Sequence, residues 1–129
     1  MSYLALLLIT KIFVTTPLVA LPFLVGPLPL LEATTGVSAK STDLFRLYGV
    51  AITALLVGYG FGIPVAEGHQ FPWGVVAMGF ISNAGGAFLL FRSSTPRSAG
   101  FWLGSFFTFI AVALAISMAA PNLALAKAW

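Results

Sequence analysis

Long apolar stretches separated by short polar connections run through the whole chain. Four of them are each long enough to cross a bilayer as a helix, which takes about 20 apolar residues. They cover residues 3–24, 44–63, 72–91 and 97–119. The pattern predicts an all-α integral membrane protein, a four-transmembrane-helix bundle forming a single domain over residues 1–129.

Prolines shape the first stretch and the connection after it. Pro17 and Pro22 lie inside the stretch and predict a bend, while Pro27 and Pro29 end it. Residues 25–43 are too short to span and too apolar for a free loop, so we expect an interfacial segment there. No charged residue precedes the first stretch and no small-residue cleavage site follows it, so we expect a retained span.

Capping and proline signals set the other boundaries. Ser41 or Thr42 is placed to cap the second span, and Pro64 marks its exit. Pro72 occupies a favoured first helical position for the third span. Thr95 followed by Pro96 predicts the start of the fourth.

Composition agrees with a lipid environment. Hydrophobic residues make up 60% of the chain and charged residues only 7%, against roughly 25% charged residues in an average soluble domain. The six basic residues are scattered between spans and form no stripe that would suit nucleic acid. The chain has no cysteine, which excludes disulfides and iron–sulfur ligation.

The distribution of basic residues predicts an orientation. The first and third loops share one side of a four-span protein, and four basic residues lie there: Lys40, Arg46, Arg92 and Arg97. By the positive-inside rule these loops are cytoplasmic, with both termini and His69 on the opposite side. The expected location is a bacterial inner membrane.

Small residues recur every four positions along the spans, which places them on one helix face. The predicted helix-packing residues are Ala54, Gly58, Gly62, Gly100, Gly104, Ala111 and Ala115. Such ridges let membrane helices approach closely. They serve either packing inside the bundle or docking onto other transmembrane helices, in a larger complex or a homo-oligomer.

Lys11 is the one charge inside the first span and leaves two interpretations open. Its side chain snorkels to the interface, which we favour, or the true span starts near Ile12 and continues to Leu31. Arg46 lies one turn inside the second span and is spaced to pair with Asp43. Arg46 is also our candidate anchor for an anionic lipid or ligand.

The other polar residues in or near the spans give weaker indications of a functional site. Asn83 falls near the middle of the third span and is expected to hydrogen bond between helices. Tyr48 and Tyr59 are placed to line a cavity. His69 is the only histidine, which is too few for a bis-histidine haem or a zinc site, so we expect a solvated loop residue.

Catalysis is not expected. The three acidic residues fall in loops or at helix ends, and no Ser/His/Asp set, metal cluster or phosphate-binding loop occurs. No cofactor is predicted, although a bundle of this kind leaves room for a bound lipid or pigment.

The junction Leu-Phe-Arg-Leu-Tyr-Gly at residues 44–49 follows a Pro/Leu-rich segment. Together with the four-span layout, it resembles small four-helix membrane proteins of the DoxX-like kind. The resemblance implies an accessory role more than a catalytic one, since members are associated with membrane redox systems or have no assigned activity. We therefore expect a non-catalytic accessory subunit of a larger, energy-transducing membrane complex. The alternative is a small-molecule or lipid-binding protein with a cavity within the bundle.

Overall fold

A computed structural model describes all 129 residues as an all-helical fold. The six helices, in chain order, are α1 (Tyr3–Val25), α2 (Leu28–Thr35), α3 (Asp43–Glu67), α4 (Trp73–Ser93), α5 (Ala99–Ala119) and α6 (Pro121–Ala124). Helices α1, α3, α4 and α5 are long and apolar enough to cross a membrane. The predicted all-α fold with four spans is confirmed.

Two predicted helix ends differ from the structure, one by about a turn and the other by two residues. Helix α3 continues through Pro64 to Glu67, although Pro64 has no N–H to donate to the preceding turn. Helix α5 starts at Ala99, because the Ser98 hydroxyl accepts the backbone N–H of Phe101 at 3.2 Å. Ser98 therefore provides the cap that the sequence had suggested for Thr95–Pro96.

Helix α1 contains a π-helical turn at Thr16–Ala20, with regular α-helix on both sides. Pro17 lies in this turn and has no N–H to donate, and Pro22 follows in the next. The wider π-helical turn lets the helix continue past Pro17, which cannot complete the α-helical hydrogen-bond pattern. This irregularity falls where the two prolines predicted a bend.

The long helices pack in two closely associated pairs, α1 with α3 and α4 with α5. The fully buried side chains between them include Leu8, Tyr59, Val76 and Leu114. Large apolar side chains also cover the outside of the bundle; Phe13, for example, is 80% exposed. An apolar core inside an apolar surface is the arrangement expected of helices surrounded by lipid.

Most glycines of the predicted packing ridges are used inside the bundle. A Cβ on Gly100 would lie 2.5 Å from the carbonyl oxygen of Thr34, and one on Gly62 would lie 2.9 Å from Val75. Gly104 packs against the Phe91 ring, and Gly58 faces Met78. These glycines permit close contact between helices of this chain.

The alanines of the same ridges differ in their exposure. Ala111 is buried and Ala115 half-buried, and both line a groove between α4 and α5. Ala54 is exposed on the outside of α3.

The two ends of the chain meet at one end of the bundle. The N–H of Tyr3 donates to the carbonyl of Ala126 at 3.1 Å, and the Ser2 N–H donates to Glu67 Oε1 at 2.7 Å. At the other end, the Ser93 hydroxyl donates to the carbonyl of Thr35 at 2.6 Å and ties α2 to α4. Because both termini lie at the same end of the bundle, the chain runs through it an even number of times.

Candidate functional site

Lys11 is enclosed by the bundle, although it is one of the few charged residues in the chain. Only 5% of its surface is exposed, and it lies eight residues into α1, about 12 Å along the helix axis. The snorkelling interpretation is therefore wrong, because the side chain points inward to a polar partner. The shifted span is wrong too, since α1 begins at Tyr3 as first predicted.

Asn83 in α4 is the partner of Lys11. The Lys11 Nζ donates to Asn83 Oδ1 at 2.5 Å. The Asn83 amide in turn donates to the Tyr59 hydroxyl at 3.0 Å and to the Gly79 carbonyl at 2.7 Å. This chain of hydrogen bonds joins α1, α3 and α4, so the interhelical role predicted for Asn83 is confirmed.

A glycine makes the network geometrically feasible. A Cβ on Gly79 would lie 2.8 Å from both Cε1 and the hydroxyl oxygen of Tyr59. The Tyr59 ring therefore lies directly on the α4 backbone, and its hydroxyl reaches Asn83 one turn further along.

Aromatic rings form another wall around the lysine. The Lys11 Nζ lies 4.1 Å from the centroid of the Phe107 ring and 5.2 Å from that of Phe106. Cation–π attraction of this kind stabilises an ammonium group by about 2 kcal/mol when it is desolvated. The rings supply no hydrogen-bond acceptor for the remaining N–H groups.

No carboxylate balances the lysine. Each acidic side chain has its hydrogen bonds elsewhere: Glu32 accepts from the N–H of Ala39, Asp43 from Ser41, and Glu67 from Ser2. An ammonium has three donors, and Lys11 uses one of them in its bond to Asn83. The site therefore has unused hydrogen-bond donors and, when Lys11 is protonated, a positive charge without a counter-charge.

Thr15 adds a buried hydroxyl that has no hydrogen-bond partner. It lies one helical turn after Lys11 on α1, is only 1% exposed, and its Oγ1 makes no hydrogen bond. Leaving a buried hydroxyl without a partner costs about 1–3 kcal/mol. Its neighbour Thr16 behaves in the ordinary way and donates to the carbonyl of Ile12 at 2.7 Å.

These groups surround a small cavity of about 30 Å³. Its polar walls are Lys11, Thr15, Tyr48, Tyr59, Ser82 and Asn83. A cavity of more than about 10–15 Å³ with several polar partners can hold a water molecule or a group of similar size. The cavity can therefore take a small polar group at the level of Lys11.

A larger apolar cleft of about 210 Å³ adjoins this cavity. Tyr48 and Phe107 line both spaces. Ten of the thirteen residues around the cleft are hydrophobic, and they come from α1, α3, α4 and α5 together with the segment after α2. A polar cavity thus lies next to an apolar space, a combination that suits an amphipathic ligand. The cavity position also agrees with the sequence prediction for Tyr48 and Tyr59.

Arg46, the predicted anionic anchor, lies outside this cavity and contacts protein. Its guanidinium donates to the carbonyl of Phe23 at 3.0 Å and to that of Gly26 at 2.7 Å, at the C-terminal end of α1. It does not pair with Asp43, which accepts from the Ser41 hydroxyl at 3.0 Å. A cation at a helix C-terminus is favourable, because the free carbonyls there carry partial negative charge.

His69 lies in the exposed turn between α3 and α4, as expected. No group of three or more His, Cys, Asp or Glu residues is placed to hold a metal ion.

Sequence reasoning missed how Lys11, Thr15 and Ser82 come together. One signal was present, since Lys11 and Thr15 are four residues apart and share a helix face. The sequence did not show that this face turns toward Asn83.

No family model, characterised protein or solved structure matches this chain.

Proposed function

We propose that this chain is a membrane-embedded binding protein that holds a small lipid-soluble molecule within its helix bundle, next to Lys11. The observation that carries the proposal is a buried lysine amine with unused donors, facing a cavity that is also lined by the unpartnered Thr15 hydroxyl. Ionisable residues inside membrane spans are rare and commonly mark binding sites or pathways.

Energetics favour a ligand over a purely structural lysine. A lysine near the centre of a span costs about 2.5–3.5 kcal/mol on insertion scales. A hydrogen bond between membrane helices returns about 0.6 kcal/mol on average, and the contacts with the Phe106 and Phe107 rings about 2 kcal/mol, which together at most balance the insertion cost. An apolar side chain would fill the same space without this cost, so a bound polar group accounts for the lysine better than packing does.

The direct test is native mass spectrometry of the chain after gentle extraction from its native membrane. We expect a bound molecule on the wild-type protein and on Lys40→Met, and none on Lys11→Met. The Lys40→Met control makes the same substitution at an exposed position. Equal retention by the Lys11 variant, or no bound molecule on any of the three proteins, would refute the proposal.

A second candidate function is the accessory subunit of a larger membrane complex, which the small-residue ridges and the DoxX-like resemblance suggested. Three glycines, Gly60, Gly74 and Gly85, have open space where a Cβ would be, and Ala54 is exposed on the same helix as Gly60. These positions permit another helix to approach from outside. Co-migration of the chain with a much larger assembly in gently solubilised membranes would support this role, and migration as a lone 13.6 kDa species would refute it.

A further inference from the structure

We infer that the ligand is a lipid-soluble monocarboxylic acid, with its carboxylate in the Lys11 cavity and its apolar chain in the adjoining cleft. This inference rests on the proposed function and names the chemical class of its ligand. Three independent features of the site point to it: the missing negative charge, the converging donors, and the shape of the two spaces.

Lys11 has no counter-charge within the bundle. The Lys11 amine lies among apolar helices, and the three acidic side chains make their hydrogen bonds at the helix ends or in the first loop. A buried charge without a counter-charge is strongly unfavourable, and pairing with an opposite charge relieves it. A bound anion supplies the partner that the protein itself lacks, which a neutral ligand could not do.

The donors favour a carboxylate among anions. Lys11 has N–H groups beyond the one that binds Asn83, and the Thr15 hydroxyl has no partner. The Tyr59 hydroxyl accepts from Asn83 and keeps its own proton available. A carboxylate presents two oxygens with about four lone-pair positions, enough to accept from all three side chains. A ketone or alcohol offers a single oxygen.

Size and polarity fix the orientation of the ligand. The cavity of about 30 Å³ suits a carboxylate better than a phosphate with its four oxygens. The cleft next to it has about 210 Å³ and mostly apolar walls, so it suits a hydrocarbon chain. Tyr48 and Phe107 line both spaces, so the proposed ligand would lie against these two side chains where its head group joins its chain.

The test measures binding of radiolabelled dodecanoate to the delipidated full chain in phosphatidylcholine nanodiscs. We expect saturable binding to the wild type and to Lys40→Met. Lys11→Met should weaken binding by about 100-fold, since removing one partner of a buried charge pair costs several kcal/mol. Dodecanol, with the same chain and no charge, should not compete. Failure of dodecanoate to bind the wild type, or equal binding to Lys11→Met, would overturn the inference.

Thr15→Val gives a test that does not depend on disturbing the lysine. Its hydroxyl has no partner, so the isosteric change should leave the fold intact. It removes one donor to a charged acceptor and should weaken dodecanoate binding about tenfold. Thr16→Val is the matched control and should bind as the wild type does, because Thr16 donates to the α1 backbone. Unchanged binding by Thr15→Val would contradict the proposed head-group position.

Formate distinguishes the two sources of a carboxylate, a lipid-soluble acid or a small free anion. Lys11-dependent binding of formate without binding of dodecanoate would overturn the place assigned to the hydrocarbon chain. If native mass spectrometry shows a neutral molecule held through Lys11 and dodecanoate does not bind, the carboxylate assignment fails and the proposed binding function stands. If no ligand depends on Lys11, both fail.

Discussion

The Lys11 ammonium donates to the Asn83 side-chain oxygen at 2.5 Å and thereby joins the first and third spans within the bundle. The Asn83 side-chain oxygen accepts only from Lys11, because the other two hydrogen bonds of Asn83 come from its amide nitrogen. No other side chain in the bundle can fully replace this contact. The pair should therefore respond to mutation as a coupled unit.

Asn83→Leu should destabilise the bundle by about 2 kcal/mol, because it leaves the lysine buried without its acceptor. In the Lys11→Met background the same change should cost much less, since no ammonium remains to be satisfied. Unfolding of the four proteins of this double-mutant cycle in SDS–detergent mixtures measures the coupling. Additive effects would show that the two side chains do not interact in the membrane.

Gly79→Ala should destabilise the protein by about 1–3 kcal/mol, the usual cost of overpacking a core. The added methyl group would lie 2.8 Å from the Tyr59 ring and hydroxyl, and would move the hydroxyl away from Asn83. Gly85→Ala on the same helix is the control, because a Cβ there meets nothing within 4 Å. Thermal unfolding in detergent should separate the two variants clearly, and equal stability would refute this packing.

Arg46→Gln should lower stability by about 1 kcal/mol through loss of charge-assisted hydrogen bonds to the end of α1. Arg92→Gln removes an exposed charge and should have little effect. The folded fraction of Arg46→Gln should still retain the ligand, because the guanidinium contacts the carbonyls of Phe23 and Gly26 outside the Lys11 cavity. Ligand loss from a protein as stable as the wild type would instead make Arg46 the anionic anchor.

The orientation predicted from the basic residues is open to cysteine labelling, because the chain has no cysteine of its own. In intact bacterial cells, an impermeant maleimide should label Gln70→Cys and leave Ser41→Cys unlabelled until the membrane is opened. Both positions are exposed, so access within the protein is similar. The reverse pattern would place the first loop outside and contradict the positive-inside assignment.

The sequence predicted the fold well and the site only in part. Helix lengths follow from apolar stretches, which local composition determines. The snorkelling prediction for Lys11 was wrong because the depth of a lysine in a span does not show which way its side chain points. That direction depends on the facing helix α4, which carries Asn83. Asn83 and Tyr59 were recognised as interior polar residues, yet their contact depends on Gly79, which lets the ring lie on the α4 backbone. Which helix faces meet is a property of the tertiary packing.

Pro64 illustrates the same limit at a helix end. Proline usually breaks a helix interior, and the sequence therefore predicted an exit there. The helix continues to Glu67, whose carboxylate accepts from the Ser2 N–H and hydroxyl at 2.7 and 3.1 Å. This contact joins residues far apart in the chain, so no local pattern could have indicated it.

Solid-state NMR on the protein in lipid bilayers tests the central claim most directly. With ¹⁵N in the lysine side chains and ¹³C in the asparagine side chains, dipolar recoupling reports whether the Lys11 Nζ lies next to Asn83 or near the lipid ³¹P. We predict a close contact with Asn83 and no phosphorus contact for Lys11, with the exposed Lys40 and Lys127 as internal controls. A Lys11 Nζ close to phosphate and far from Asn83 would contradict the account.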